Sequence, residues 1–177
     1  MALTIGDTAP NFDAETTEGK ISFHDWIGDS WAILFSHPRD FTPVCTTELG
    51  YMAKIQPDFE VSKLYGMLPG DVEGEATERT PAMNQTVRNV FVVGPDKKIK
   101  LILVYPMTTG RNFDEVLRVI DSLQLTATHK VATPAQWQQG DDVIIAGSVS
   151  DEQARETYPD GWESPRPYIR IVPQPTG

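Results

Sequence analysis

Two apolar runs joined by a short polar turn constrain the fold of this chain more than any other feature. The first run, TVRNVFVVG, covers residues 86–94, the turn PDKK covers 95–98, and the second run, IKLILVYP, covers 99–106. Runs of this length that are rich in Val and Ile and flank a turn containing Pro and Asp are typical of a β-hairpin. The sequence therefore predicts an antiparallel pair of strands.

Other elements can be predicted around this hairpin. The run WAILFS, residues 31–36, has the length and continuous apolar character of a buried strand, and DAETTEGKISFHDW predicts a short hairpin that turns at Glu18-Gly19. RNFDEVLRVIDSLQ predicts an amphipathic helix, with Asn112 as its cap and Glu115 completing a capping box. The expected apolar face of this helix consists of Phe113, Val116, Leu117, Ile120 and Leu123.

Charge and composition exclude several classes of partner. The formal net charge is -10, which argues against nucleic acid or an anionic membrane surface as the main partner. No apolar run approaches the roughly 18 residues of a membrane-spanning helix, and MALTIGDTAPNFD lacks the pattern of a secretory signal. The chain has a single cysteine and so forms no intramolecular disulfide. We therefore expect a reducing, cytoplasmic location.

The single cysteine, Cys45, follows a Thr-Pro step and precedes a run with helical apolar spacing. This order places Cys45 at or near a helix N-terminus. A helix N-terminus and a nearby cation both lower a cysteine's pKa, and the thiolate is the reactive form. Three arginines are candidates for the cation: Arg39, Arg88 and Arg111. The alternative is that Cys45 is only a small buried hydrophobe.

The loop before Cys45 resembles the active-site loop of the peroxiredoxins. Their motif is Pro, three residues, Thr, two residues and Cys, and here it is formed by Pro38, Thr42 and Cys45 in FSHPRDFTPVCTTELG. Further stretches resemble the one-cysteine, peroxiredoxin-6-like subfamily over nearly the whole chain. They are GPDKKIKLILVYPMTTGRNFDEVLRVIDSLQLT, then VATPAQWQQGDD, and finally the PQP near the end.

The resemblance implies an α/β protein with a thioredoxin-like, three-layer α/β/α fold and a small C-terminal extension. Cys45 would attack the O–O bond of a hydroperoxide and become a sulfenic acid. Thr42 would hydrogen-bond the thiolate and the peroxide, Pro38 would shield the site from water, and Arg88 would stabilise the negative charge. His37, next to the loop, is a weaker candidate for contacting substrate or reductant. No metal or cofactor is required by this chemistry.

The resemblance also implies partners. Hydrogen peroxide and organic or lipid hydroperoxides would be substrates, in an antioxidant role. Because the chain has no resolving cysteine, the reductant must be an external thiol such as thioredoxin or glutathione. The subfamily pairs through the outer strand, here KLILVYP, and exchanges C-terminal regions, so a homodimer or higher homo-oligomer is expected.

The predicted domains are residues 1–127, the thioredoxin-like domain, and residues 128–177, an extension that is too small for a core of its own. The chain departs from the family at Glu60-Val61, where a strand-helix-strand block is missing between QPDFE and VSKLYGML. The sheet would then be truncated and WAILFS would become an edge strand. A catalytically impaired or chaperone-like oligomer is therefore an alternative function.

A second alternative depends on GDSWA, residues 28–32, which resembles the Gly-x-Ser-x-Gly turn of hydrolases with Ala in place of the last Gly. Some relatives are credited with a phospholipase activity, and the matching positions here are His24, Ser30 and Asp96. The competing interpretation gives these residues structural roles: a His on a half-buried strand, a turn Ser and the Asp of a hairpin turn.

Overall fold

The structure is a computed structural model that describes residues 2–16, 19–38, 43–49 and 86–176. It divides into two compact units, residues 1–111 and residues 112–177. Within the described parts of the chain, no helix is both long enough and apolar enough to cross a membrane.

The first unit combines five strands and two short helices among its described residues. In chain order these are β1 (Asp13–Thr16), β2 (Gly19–Ser22), α1 (Phe23–Ile27), β3 (Ala32–Phe35), α2 (Pro43–Leu49), β4 (Arg88–Val93) and β5 (Ile99–Tyr105). β1 and β2 form the predicted short hairpin, and β3, β4 and β5 form a three-stranded antiparallel sheet in that order.

The predicted hairpin of two apolar runs is confirmed as β4 and β5, which pair from Arg88 opposite Tyr105 to Val93 opposite Ile99. Every residue of β4 is buried, as expected for a central strand flanked on both sides. The core of this unit is formed by Ala9, Phe23, Ile27, Ala32, Phe91, Val93 and Ile99. The sheet therefore supplies a rigid support for the residues at the ends of β3 and β4.

The run WAILFS forms β3, although it is only partly buried. Ala32 is buried, whereas Ile33 is 40% exposed. Among the described residues β3 pairs only with β4 and lies at the edge of its sheet. This agrees with the expected edge position as far as the described residues go, and the expectation of a wholly buried strand is wrong at Ile33, whose side chain is not fully covered on its face of the sheet. The junction Glu60-Val61 lies outside the described residues.

The described part of the second unit contains two helices and four strands. They are α3 (Phe113–Thr128), β6 (Val131–Ala132), β7 (Val143–Ile145), α4 (Asp151–Thr157), β8 (Glu163–Arg166) and β9 (Ile169–Val172). The strands form an antiparallel sheet in the order β6-β7-β9-β8. Ser150 caps α4 with a complete capping box, which it shares with Gln153.

The expectation that the C-terminal region lacks a core of its own is wrong. The sheet and α4 enclose a cluster in which Trp137 is almost fully buried and its indole N–H donates to the carbonyl of Asp141. The buried members of the cluster are Val131, Trp137, Val143, Ile145, Val149, Ala154 and Val172. One large aromatic side chain at the centre compensates for the small number of residues. The predicted boundary between residues 127 and 128 stays a prediction.

Asn112 caps helix α3 as predicted, but the expectation that Glu115 completes a capping box is wrong. The Asn112 side chain accepts a hydrogen bond from the backbone N–H of Glu115, while the Glu115 carboxylate pairs with Arg118 instead of returning to the cap. Val116 is buried, but Leu117 is 56% exposed. The predicted apolar face is therefore wrong at Leu117, which lies at the margin of the apolar stripe.

Candidate active site

Cys45 lies in the first turn of α2, where the sequence places it, and is fully buried. A buried thiol is reactive only as a thiolate, and a buried negative charge requires compensation by dipoles or cations. The free N–H groups of a first helical turn favour an anion at this position. The surroundings of Cys45 therefore decide whether it is reactive.

Arg88 supplies a cation at the sulfur. It is the first residue of β4, it is almost fully buried, and one terminal guanidinium nitrogen (Nη1) donates to Sγ of Cys45 at 3.4 Å. Of the candidate arginines that the structure describes, Arg88 is thus brought to the thiol. The catalytic role of Arg88 stays a prediction.

The guanidinium of Arg88 is held by two further acceptors. Its Nε and Nη2 donate to the backbone carbonyl oxygen of Met107 at 3.0 and 2.8 Å, and Nη1 also donates to Oε2 of Glu48 at 2.6 Å. A planar fork that is fixed at three nitrogens keeps one orientation. The N–H group directed at Cys45 is therefore preorganised.

Glu48 is a residue of this site that the sequence analysis missed. It lies one helical turn after Cys45 in α2 and is buried. Besides the bond from Arg88, it accepts hydrogen bonds from Arg111: the backbone N–H at 2.8 Å, Nε at 3.2 Å and Nη2 at 2.9 Å. The available signal was its spacing of three residues from Cys45, which places both on one helix face.

Glu48 is held in its ionised form. Burial by itself raises the pKa of the Glu48 carboxyl, but the hydrogen bonds from Arg111 and the charges of Arg111 and Arg88 together outweigh burial and lower it. Glu48 consequently joins the two arginines as a buried carboxylate at neutral pH.

Arg111 connects this cluster to the sheet. Its Nη1 donates to the carbonyl oxygen of Ser36 at 2.7 Å and to that of Asn89 at 2.9 Å, and its guanidinium lies over the ring of Phe35 at 5.2 Å. Arg111, one of the three arginines considered as the cation, thus joins α2 to the ends of β3 and β4.

Among the described residues, the buried charged side chains of this cluster carry a net positive charge. Arg88 and Arg111 carry two positive charges, and Glu48 carries one negative charge. A thiolate at Cys45 would supply the second negative charge and neutralise the group. Such an arrangement can stabilise negative charge that develops on an atom beside it.

The structure describes only some of the remaining residues of the predicted site. Thr42 lies outside the described residues, as does Arg39. Pro38 is half-buried, and His37, also half-buried, accepts a hydrogen bond from the Thr86 hydroxyl through its backbone carbonyl at 2.9 Å. The roles of Pro38, Thr42 and His37 stay predictions.

The residues of the hydrolase alternative have other partners. The Nε2 atom of His24 lies 2.8 Å from the carbonyl oxygen of Ala9, and Asp96 accepts a hydrogen bond from Nζ of Lys100 at 2.7 Å. That bond from Lys100 is the largest cause of the lowered pKa of Asp96. His24 belongs to helix α1, so its expected place on a strand is wrong, and Ser30 lies in an exposed turn. None of these bonds joins one member of the set to another.

A buried cysteine that faces a guanidinium at the start of a helix defines a site for a reactive thiolate, the type of site found in thiol-dependent enzymes. Among the described residues, no group of three His, Cys, Asp or Glu side chains could hold a metal ion. The class of protein suggested by the geometry is an enzyme that acts through cysteine chemistry.

Comparison with known proteins specifies that class. Residues 5–64 match the AhpC/TSA family, and residues 122–161 match the C-terminal domain of 1-Cys peroxiredoxin. Peroxiredoxin-6 of Pongo abelii is 46% identical and that of Homo sapiens 45% identical over 220 residues, each covering 98% of both chains. The chain therefore belongs to the peroxiredoxin family and resembles its one-cysteine, peroxiredoxin-6-like members.

Solved structures support the same assignment. A crystal structure of a cysteine-to-serine mutant of peroxiredoxin 6 of Arenicola marina matches with a TM-score of 0.79 and 42% identity, covering 99% of this chain and 100% of that one. A yeast mitochondrial 1-Cys peroxiredoxin matches with a TM-score of 0.78 and 40% identity, covering 97% and 99%. The fold is thioredoxin-like, as predicted, and the protein is a thiol peroxidase, an oxidoreductase.

The alignments also bear on the missing block. They extend over 220 positions, whereas this chain has 177 residues, so at least 43 aligned positions lie opposite gaps in this chain. The AhpC/TSA match ends at residue 64, close to Glu60-Val61. Both findings agree with an internal segment that the relatives have and this chain lacks.

Proposed function

We propose that this thiol peroxidase reduces hydrogen peroxide and organic hydroperoxides, including those of lipids, through Cys45 as its peroxidatic residue. The observation that supports this most directly is the donation from Nη1 of Arg88 to Sγ of Cys45 at 3.4 Å inside a buried site. A guanidinium in that place stabilises both the thiolate and the negative charge that develops during its attack on oxygen.

The proposed reaction is a two-electron oxidation of sulfur. The thiolate of Cys45 attacks the outer oxygen of the hydroperoxide, an S–O bond forms, and the O–O bond breaks. The remaining oxygen leaves as hydroxide or alkoxide and takes a proton to become water or an alcohol. Sulfur becomes a sulfenic acid. Pro38 and Thr42, at their motif positions, would shield the site and hydrogen-bond the peroxide.

The proposed reductant is an external thiol. The chain has one cysteine, so the sulfenic acid of Cys45 has no thiol of its own chain with which to condense. The yeast relative is described as resolving its thiol through glutathione and thioredoxin systems. By similarity, an external thiol would form a mixed disulfide with Cys45, and a second external thiol would release the reduced enzyme.

The proposed assembly is a homodimer or higher homo-oligomer that pairs through β5. Among the described residues β5 lies at the edge of its sheet, and Val104 on this strand is 62% exposed. An exposed apolar edge strand is a surface on which a second copy can pair. A cytoplasmic location is also proposed, because a lone thiol that relies on external thiols suits a reducing compartment.

The other functions considered have less support. The similarity over 98% of both chains favours a working peroxidase over a chaperone-like oligomer. The bonds of His24 to Ala9 and of Asp96 to Lys100 engage two members of the hydrolase set elsewhere.

Peroxide consumption by the wild-type chain and by Cys45→Ser tests the proposal. With excess thioredoxin or glutathione, the wild type is expected to consume hydrogen peroxide and an alkyl hydroperoxide, and to yield a sulfenic acid that a dimedone-type reagent traps on Cys45. The serine variant is expected to be inactive because its hydroxyl stays protonated. Equal turnover by the two proteins would refute Cys45 as the peroxidatic residue.

A further inference from the structure

We propose that Met107 is an oxidation site beside the peroxide-reducing centre, at which excess hydroperoxide forms a methionine sulfoxide and lowers the activity of the enzyme. This inference rests on the proposed function, because the oxidant is the proposed substrate. It adds a modification site that is separate from the cysteine.

The contacts of Arg88 place Met107 at the site. The Met107 carbonyl oxygen accepts bonds from Nε and Nη2 of Arg88, whose Nη1 donates to Sγ of Cys45. One guanidinium group therefore separates the main chain of Met107 from the sulfur of Cys45. Whereas Cys45 and Arg88 are buried, Met107 is 40% exposed. The residue whose main chain holds Arg88 is thus partly accessible to solvent, from which hydroperoxides arrive.

The chemistry requires only the hydroperoxide. A lone pair of the thioether sulfur attacks the outer peroxide oxygen, an S–O bond forms, and the O–O bond breaks. The proton on the attacked oxygen is transferred to the departing oxygen, which leaves as water or an alcohol. Sulfur is oxidised by two electrons and the peroxide is reduced by two. The product is a sulfoxide that methionine sulfoxide reductases can reverse.

Oxidation of Met107 would act on the orientation of Arg88 through the hydrogen bonds that join the two residues. The side chain becomes polar and gains a strong hydrogen-bond acceptor on the same residue whose carbonyl holds Arg88. Two effects follow: the preferred conformation of the Met107 backbone and side chain changes, and the sulfoxide oxygen competes for guanidinium N–H groups. Both reduce the fraction of molecules in which Nη1 points at Cys45.

The test compares the wild type, Cys45→Ser and Met107→Leu, each as the full chain in its native assembly. Each protein is exposed to excess hydrogen peroxide, quenched with catalase and analysed by peptide mass spectrometry, with Met1, Met52, Met67 and Met83 as internal references. The activities of the wild type and of Met107→Leu are expressed relative to each protein's own starting rate, and Cys45→Ser is used only for the mass spectrometry. Treated samples are then reduced with a thiol alone or with a thiol and methionine sulfoxide reductases.

One added oxygen is expected on Met107 in both the wild type and Cys45→Ser. The sulfoxide reductases are expected to restore part of the activity that the treated wild type has lost. In treated Met107→Leu, they are expected to restore no activity. The proposal would be overturned if Met107 stayed unmodified in the assembled enzyme. It would also be overturned if the sulfoxide reductases restored as much activity in treated Met107→Leu as in the treated wild type. Absence of any starting activity in the wild type would instead contradict the peroxidase assignment.

Discussion

At the scale of single residues, the geometry of Arg88 distinguishes it from a simple positive charge. Its three nitrogens reach Cys45, Glu48 and the carbonyl of Met107 at the same time. A lysine would keep the charge, but its three N–H donors sit on a single nitrogen and cannot reproduce the planar fork that spans these acceptors. The orientation of the N–H group toward sulfur therefore depends on the guanidinium itself.

Arg88→Lys is expected to slow the reaction of Cys45 with hydrogen peroxide by about 10²-fold, the scale for removing one preorganised donor from an active site. The measurement is single-turnover peroxide consumption with quantification of the sulfenic acid. Arg118→Lys is the matched control, since Arg118 pairs with Glu115 on α3. A similar loss in both variants would show that the effect does not come from the contact with Cys45.

Glu48 is expected to contribute to stability because it is the carboxylate between two buried guanidinium groups. Glu48→Gln leaves both positive charges without their counter-ion, and the free energy of unfolding is expected to fall by about 3 kcal/mol. Denaturant titration of the reduced protein measures this change. Glu115→Gln, which removes a largely exposed pair with Arg118, is expected to cost only about 0.5 kcal/mol. Equal costs would contradict the role assigned to Glu48.

The lowered pKa of Glu48 also sets a pH dependence. Because the folded state depresses the pKa of this carboxyl, its contribution to stability is fully present above the unfolded value of about 4.3. That contribution is lost as the pH falls from there through the lower, folded value. The free energy of unfolding, measured at a series of pH values, should fall less steeply in this acid range for Glu48→Gln than for the wild type.

At the scale of elements, local sequence patterns were sufficient to predict the helices and strands that local interactions determine. The β4–β5 hairpin and the start of α3 follow from apolar runs, a turn and a capping residue. The exposure of Leu117 and the C-terminal core around Trp137 were not predicted, because burial depends on which elements enclose a side chain.

At the candidate site too, the features set by local sequence were predicted and those set by tertiary contacts were not. The Thr-Pro step and the apolar spacing placed Cys45 at a helix start, and the resemblance selected Arg88 as the stabilising cation. Glu48 was not assigned to the site and Arg111 was only one of three candidate cations, because their contacts join residues 63 positions apart and exist only after the chain has folded. No periodicity within either segment indicates that a buried carboxylate will link two arginines.

The cap of α3 allows a prediction about an element. Asn112→Ala removes the acceptor for the backbone N–H of Glu115 and is expected to destabilise the first turn of α3 by about 1 kcal/mol. Hydrogen exchange at the Glu115 amide should become correspondingly faster, while amides in α4 should keep their rates. Asn112→Asp retains a side-chain oxygen and should restore slow exchange; failure to do so would rule out capping as the cause.

At the scale of the whole molecule, the internal segment that the relatives have and this chain lacks bears on how the edges of the sheet are covered. The described sheet has three strands, and β3 and β5 are both at its edges. Ile33 on β3 and Val104 on β5 are partly exposed apolar side chains on these edges. Pairing through β5 would cover one edge, and the chain's stability would then depend on its assembly more than that of a protein with a larger sheet.

Val104→Asp tests the proposed pairing through β5. If two copies of this strand pair about a two-fold axis, the substitution places two carboxylates close to one interface and removes apolar surface from both copies. The expected result is a shift from dimer to monomer in sedimentation velocity at equal protein concentration. Ile5→Asp, at another exposed apolar position, is the matched control and should keep the wild-type size. A dimer that persists in Val104→Asp would exclude β5 as the main interface, and a monomeric wild type would contradict the proposed assembly.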